Sequence, residues 1–186
     1  MEDLILKGNE PVIQILQCSG VAGCIYFNLL FANKMKSTFK IRKAEQQDFE
    51  SINIFINKLE QEVFDKEKQQ KIFLENLSNP KNIYLVATTN EKVIGFLSCH
   101  VQNLLHHNGA IGEIQEMFVV PKKRGLGIGK ALVNELKTIA FKKKILQIEV
   151  TSNSKRIKAH SFYKDQKFKE THKKFVLNLK MAITFS

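Results

Sequence analysis

The 186-residue chain has a formal net charge of +11, with 44% hydrophobic and 25% charged residues. These proportions exclude an intrinsically disordered chain and are typical of a globular protein with one hydrophobic core. The charge is uneven, because 17 Lys and Arg residues but only four acidic ones fall within residues 121–180. This stretch predicts an anionic partner, either a nucleic acid or a small phosphorylated ligand, although a solvated lysine surface is as common. No RNA-binding aromatic signature accompanies the lysines, which disfavours nucleic acid.

The first 37 residues differ in character from the rest. Residues 12–33 are apolar without a clear period, but their polar residues weaken a membrane-span interpretation. The start of the chain is acidic, whereas export signals begin with positive charge. We therefore interpret residues 1–37 as an extension of uncertain role and place the functional domain at residues 38–180.

The cysteines indicate a reducing environment. The chain has three, Cys18, Cys24 and Cys99, in no Cys-x-x-Cys spacing. An odd number in this arrangement argues against a disulfide framework and against a structural zinc site. A cytoplasmic location is the simplest expectation.

The apolar pattern predicts both strands and helices along the domain. The expected strands cover 38–44, 83–89, 92–101, 111–120 and 145–150. The expected helices cover 49–63, 66–77, a segment that starts in a glycine-rich loop near 128, and 154–164. Residues 168–179 predict a closing hairpin. The fold class that follows is α/β, with a mixed, largely antiparallel central sheet flanked by helices.

The glycine-rich loop, PKKRGLGIGKAL at 121–132, excludes two familiar nucleotide motifs. A dinucleotide fingerprint needs a third glycine where Lys130 stands. A triphosphate loop needs a hydroxyl where Ala131 stands. Both motifs therefore fail at specific residues.

The same loop still has the features of an anion site. Its glycines permit close backbone approach, and it ends where a helix begins, with N–H groups that lack intrahelical partners. Those groups and the helix dipole favour a phosphate, and Arg124 and Lys130 add charge at the two ends. We interpret the loop as a pyrophosphate cradle, in preference to a glycine turn without a ligand.

The pattern V-x-P-x-x-R-G-x-G-I-G-K-x-L resembles the acetyl-CoA loop of the GNAT N-acetyltransferases. Residues 159–168, AHSFYKDQKF, resemble the A-x-x-x-Y-x-x-x-G-F region of that family and place Tyr163 on its tyrosine. The similarity runs from about residue 38 to 179. Two positions depart from the family: Arg156 stands in place of a frequent Asn, and Lys167 in place of a glycine. Residues 100–121 and 151–163 are similar to the aminoalkylphosphonate N-acetyltransferases in particular.

The resemblance implies a binding site for acetyl-CoA. In such a fold the strand before the loop splays from its neighbour, usually at a bulge, and its backbone pairs with the pantetheine arm. The implied cofactor-binding residues are Phe118, Val119, Arg124, Gly125, Leu126, Gly127, Ile128, Gly129 and Lys130.

The resemblance also implies acid–base groups. Glu116 is favoured as the base because it lies closer to Phe118, and Glu113 is the alternative. In an unbroken strand these two side chains would face opposite sides. Tyr163 is implied as the general acid toward the coenzyme sulfur, although by itself it would be read as a core residue.

The acceptor is expected to be a small-molecule amine, with aminoalkylphosphonates first and an aminoglycoside, polyamine or protein amine as alternatives. Candidate substrate-binding residues are His106, His107, Lys155 and Arg156, each of which is otherwise an ordinary polar surface residue. The phosphonate-acetylating relatives are associated with a divalent metal. A divalent metal is therefore an open alternative as a second cofactor, in addition to acetyl-CoA, although no metal ligand is assigned. Neither nucleic acid nor a membrane is expected as a partner, and a homodimer stays open.

Overall fold

Five strands form one sheet in the computed structural model, which describes residues 39–177. The strands are β1 (Lys40–Lys43), β2 (Asn82–Thr89), β3 (Lys92–Leu104), β4 (Gly109–Val119) and β5 (Gln147–Val150). They lie in chain order, antiparallel from β1 to β4, and β5 pairs with β4 in parallel. The expected mixed, largely antiparallel sheet is confirmed. The division at residue 37 stays a prediction, since residues 1–37 lie outside the described part.

In the described part of the chain, four α-helices flank the sheet. They are α1 (Phe49–Glu60), α2 (Lys66–Ser78), α3 (Ile128–Lys142) and α4 (Ile157–Asp165). Helices α1 and α2 contribute to a core on one face of the sheet, which includes Phe55, Phe96 and Phe118. Helix α3 packs on the other face with Leu97 and Ile114, and side chains of α4 adjoin this second core. We call these the α1 face and the α3 face.

Some local expectations were wrong. Helix α1 ends at Glu60, because Gln61 adopts a left-handed conformation, and Val63 is therefore 88% exposed. Helix α2 buries Phe73 but leaves Ile72 exposed. The described part of the expected closing hairpin, residues 168–177, contains no strand. Within residues 39–177, no helix is long and apolar enough to cross a membrane.

A bulge and a fork in the sheet position the functional site. Ser98 pairs with Glu116 while Cys99 pairs with Ile114, so Gln115 is an extra residue on β4. Such a bulge bends its strand and interrupts pairing. Strand β5 pairs with β4 only as far as Ile114, opposite Val150. The β4 residues 115–119 lie beyond this pair, and we call the edge that they present on the β5 side the β4–β5 opening.

Candidate active site

The backbone of β4 presents polar groups to the β4–β5 opening. The N–H of Val120 donates to the carbonyl of Ile94 on β3 at 3.0 Å. Since a trans peptide points its C=O and N–H in opposite directions, the Val119 carbonyl faces the opening. The alternation of antiparallel pairing then directs the Met117 backbone outward and the Phe118 backbone toward β3. Met117 and Val119, rather than the expected Phe118 and Val119, therefore offer backbone groups there.

Phe118 instead belongs to the α1-face core. Its side chain is 6% exposed, and its ring stacks on Phe55 with centroids 4.9 Å apart. The guanidinium carbon of Arg124 lies 5.6 Å from the centroid of the same ring. Arg124 Nε also donates to the Val119 carbonyl at 3.0 Å. Phe118 thus contributes to the site as a support for Arg124.

The glycine loop has the geometry of an anion cradle. Gly125 and Gly127 have φ of 78° and 79°, in the left-handed region that favours glycine. Gly127 is the N-cap of α3, and the first bond of that helix runs from the Ala131 N–H to the Gly127 carbonyl at 2.9 Å. The N–H groups of residues 128–130 therefore have no partner within the helix. They and the helix dipole favour an anion at this point.

The two loop cations differ in what they already contact. Arg124 is held against Val119 and Phe118, as described above. Lys130 is exposed and forms no salt bridge with any residue of the described range. Leu126 is also exposed, and the Ile128 side chain is buried in the α3-face core. The loop therefore combines a fixed cation, a solvent-facing cation and backbone donors.

We expect Gly127→Ala to weaken acetyl-CoA binding about tenfold, because a Cβ there costs roughly 1–2 kcal/mol of backbone strain. The loop offers open space for that Cβ, with no atom within 4 Å, so strain is the only penalty. Calorimetric titration with acetyl-CoA measures the effect. The matched control is Ala131→Gly, which lowers helix stability by a similar amount without altering the loop. Equal affinities in the two variants would contradict a role for the loop conformation.

Met117 brings the glycine loop and Tyr163 together on the α3 face. A Cβ added at Gly129 would lie 3.0 Å from Met117 Cε and 3.2 Å from Phe162 Cε2. The Tyr163 hydroxyl lies 3.9 Å from Met117 Sδ. Gly129 is thus required for close approach of α3 to β4. Burial raises the pKa of Tyr163 to about 12, against a smaller opposing effect of Arg156, so the phenol keeps its proton at neutral pH.

Glu113 and Glu116 lie on the same face of β4. Glu116 pairs with Ser98 and Glu113 with His100, and these partners are two residues apart on β3. In an unbroken strand the two carboxylates would point to opposite faces, and the extra residue Gln115 brings them to the same face. Both carboxylates face the α1 side, opposite Met117. Their partners differ: Thr151 donates to Glu113 Oε1 at 2.9 Å, and the Ser98 hydroxyl donates to Glu116 Oε2.

A polar row crosses the α1 face, which the sequence alone did not reveal. Tyr84, Ser98 and Glu116 are successive register partners on β2, β3 and β4. The Tyr84 hydroxyl lies 3.2 Å from His100 Nε2. Burial, and then the negative charge of Glu116, raise the pKa of Tyr84. The one available signal was a serine inside an apolar strand run, FLSC at 96–99.

The histidine pair is far from this row. His106 and His107 lie in a short 3-10 helix between β3 and β4, with ring centroids 4.4 Å apart. Strand β4 has 11 residues, so its two ends are separated by about 30 Å. The pair lies at the end opposite the glycine loop, and His107 Nε2 is 3.6 Å from Glu149 Oε1. The structure does not bring these histidines to the β4–β5 opening.

The residues present do not fit a divalent metal site. Across residues 39–177, no group of three or more His, Cys, Asp or Glu side chains is arranged to hold a metal ion. Among the described residues, the carboxylate paired with His107 is that of Glu149.

Of the two basic candidates after β5, Arg156 is already engaged. Its Nη2 donates to the Leu59 carbonyl at 3.0 Å and to Glu60 Oε1 at 3.1 Å. These contacts join the start of α4 to the end of α1. Lys155 is exposed and forms no ion pair with another described residue. The positive charge of Arg156 lies near enough to Tyr163 to lower the pKa of the phenol, against the larger effect of burial.

Comparisons with known proteins agree with this geometry. The sequence model of the "Acetyltransferase (GNAT) family" matches residues 41–168. The chain is 35% identical over 136 residues to an aminoalkylphosphonate N-acetyltransferase of Salmonella typhimurium, covering 73% of this chain and 88% of that protein. A transcriptional regulator from Bacillus halodurans has a similar fold, with a TM-score of 0.70 and 24% identity over 75% of this chain and 99% of that one. A predicted acetyltransferase from Clostridium acetobutylicum, solved with acetyl-CoA, has a TM-score of 0.65 and 22% identity over 76% and 97%.

Proposed function

Because the chain belongs to the GNAT family of N-acetyltransferases, whose cosubstrate is acetyl-CoA, we propose that it acetylates the primary amine of an aminoalkylphosphonate. One observation carries the catalytic part of the proposal. Glu116 and the Met117–Tyr163 contact are on opposite faces of β4, next to each other in sequence, at the β4–β5 opening. A thioester held in that opening has a carboxylate on one side and a phenol on the other.

Acetyl-CoA binding follows from the loop and the strand edge. The pyrophosphate binds the N–H groups of residues 128–130, with Arg124 and Lys130 beside it. The pantetheine arm runs along the outward backbone groups of Met117 and Val119. An N–H from this edge donates to the thioester carbonyl as it becomes negative. In this binding mode the Val119 carbonyl gives up its hydrogen bond from Arg124 and accepts one from a pantetheine amide N–H.

The residues then divide the proton transfers between them. Glu116 takes a proton from the acceptor ammonium, directly or through water, because only the neutral amine attacks the thioester. The amine nitrogen bonds to the acetyl carbon, and the carbon–sulfur bond breaks. Tyr163, whose raised pKa keeps it protonated, gives its proton to the departing thiolate and regains one, through solvent, from the nitrogen of the new amide. The products are an N-acetylated amine and free coenzyme A.

Two arguments support the phosphonate acceptor. The first is the similarity to the Salmonella enzyme over most of both chains. The second is the pair of cations, Lys155 and Arg156, after β5, since guanidinium and ammonium groups pair well with phosphonate oxygens. Arg156 pairs with such a dianion in place of the Glu60 carboxylate, and it keeps its hydrogen bond to the Leu59 carbonyl.

The test is release of free coenzyme A thiol across a panel of amines. Aminomethylphosphonate and 2-aminoethylphosphonate are compared with taurine and ethylamine, which keep the amine but replace or remove the phosphonate. We expect turnover with the phosphonates at least tenfold above the controls, an effect of one charge-assisted contact of about 1.4 kcal/mol. The panel is run with and without EDTA and with added Mg²⁺, so that any metal dependence is measured separately.

The outcomes separate the candidate acceptors. Turnover of an aminoglycoside or polyamine with no phosphonate turnover would overturn the acceptor and leave the acetyl-transfer chemistry in place. Absence of thiol release with every amine, together with binding to nucleic acid that weakens steeply with salt, would overturn the enzymatic proposal as a whole. The cytoplasmic location and the homodimer remain predictions.

A further inference from the structure

Ser98 is a buried polar residue that the reaction described above does not use. Its side chain is 0% exposed and lies in the middle of β3, beside the core residue Phe96. A buried hydroxyl is costly unless it is hydrogen-bonded. Within residues 39–177, Ser98 meets that requirement through Glu116, in two ways. Its Oγ donates to the Glu116 carboxylate and accepts the Glu116 N–H at 3.1 Å.

The β4 bulge accounts for this arrangement. With Gln115 as an extra residue, the Glu116 N–H donates to the Ser98 hydroxyl. The hydroxyl proton is thereby committed to the other direction, toward Glu116 Oε2. One side chain thus fixes both the backbone and the carboxylate of the same residue. Tyr84, the register partner of Ser98 on β2, lies on the other side of Ser98 in this row.

We propose that Ser98 is the positioning residue of Glu116: it fixes the carboxylate in the orientation that accepts the amine proton. This inference rests on the proposed role of Glu116 as the base. Ser98 itself does not touch the substrate, because it is fully buried on the far side of the Glu116 carboxylate. Its contribution to the rate is made wholly through Glu116.

The decisive experiment is a double-mutant cycle on turnover. Ser98→Ala removes the donor, and we expect a loss of kcat of about tenfold, less than the roughly 100-fold or more of a positioned base, because Glu116 itself remains. The dissociation constant of acetyl-CoA stays unchanged, because Ser98 is on the face opposite the Met117–Gly129 contact. In a Glu116→Gln background, the same Ser98→Ala change lowers kcat less than about twofold, because the two residues act as one unit.

Rescue and control variants keep the result specific. Ser98→Thr retains the hydroxyl and should keep most of the activity. Ser98→Cys, nearly isosteric with a weak donor, should fall between Ser and Ala and takes the place of Ser98→Ala in the cycle if the alanine variant does not fold. The matched control is Ser78→Ala, since Ser78 is exposed and its hydroxyl donates to the Glu75 carbonyl of its own helix.

Four results of this cycle would contradict the positioning role of Ser98. Equal losses in both backgrounds would show that Ser98 acts independently of Glu116 and would overturn the positioning role. Wild-type turnover in Ser98→Ala, with Glu116→Gln impaired, would overturn it while leaving the base assignment intact. Wild-type turnover in Glu116→Gln would overturn the base assignment first and the Ser98 role with it. Loss of acetyl-CoA affinity in Ser98→Ala would also contradict the proposal, since it would indicate general damage.

Discussion

Glu116→Gln is expected to lower kcat by about 100-fold or more, within the usual contribution of a positioned base. Glutamine keeps the size and polarity of the side chain but does not accept the amine proton. The bond that the Ser98 hydroxyl donates is retained through the amide oxygen, so the fold should be preserved. Steady-state kinetics of thiol release gives kcat, and the dissociation constant of acetyl-CoA should not change.

Glu113→Gln is the matched variant for this test. Glu113 is on the same strand and the same face, but its carboxylate is held by Thr151. We expect a change of less than about threefold in kcat, as for a carboxylate that does not transfer the proton. A large loss in Glu113→Gln together with an active Glu116→Gln would reverse the assignment. Equal losses in both variants would indicate that the two carboxylates act together.

Tyr163→Phe is expected to keep acetyl-CoA affinity and lower kcat at least tenfold, a conservative bound for a group whose acid–base contribution is typically about 100-fold or more. The phenol contacts Met117 at the opening, and the change removes only its hydroxyl. Because burial raises its pKa to about 12, Tyr163 stays protonated from neutral pH to about pH 11. The wild-type kcat profile should therefore show no loss from Tyr163 deprotonation across this range.

The control for Tyr163→Phe is Tyr84→Phe. Tyr84 is also largely buried, but it lies on the α1 face and contacts His100. Removing its hydroxyl should affect stability more than turnover. Unchanged kcat in Tyr163→Phe would refute the acid role. An equal decrease in the two variants would point to a general loss of rigidity instead of a missing proton donor.

The sequence was enough to predict the cradle for acetyl-CoA. Its requirements are local: glycines at positive φ, a helix that starts immediately afterwards, and cations within a few residues. Helix starts, turns and strand alternation depend on neighbours along the chain, so their types could be predicted without coordinates. The position of Tyr163 came from a local motif of the same kind. The exact ends of elements, such as the stop of α1 before Val63, depended on packing and were less well predicted.

The composition of the proposed catalytic centre was decided by the tertiary structure. Glu113 and Glu116 share a face because one extra residue, Gln115, shifts the two-residue period of β4 against β3. The same pairing brings Ser98 to Glu116 across 18 positions of sequence. His106 and His107 were candidate substrate-binding residues, but they lie a full strand length from the glycine loop. Register and strand length set these distances, and both arise from pairing between segments that are remote in the chain.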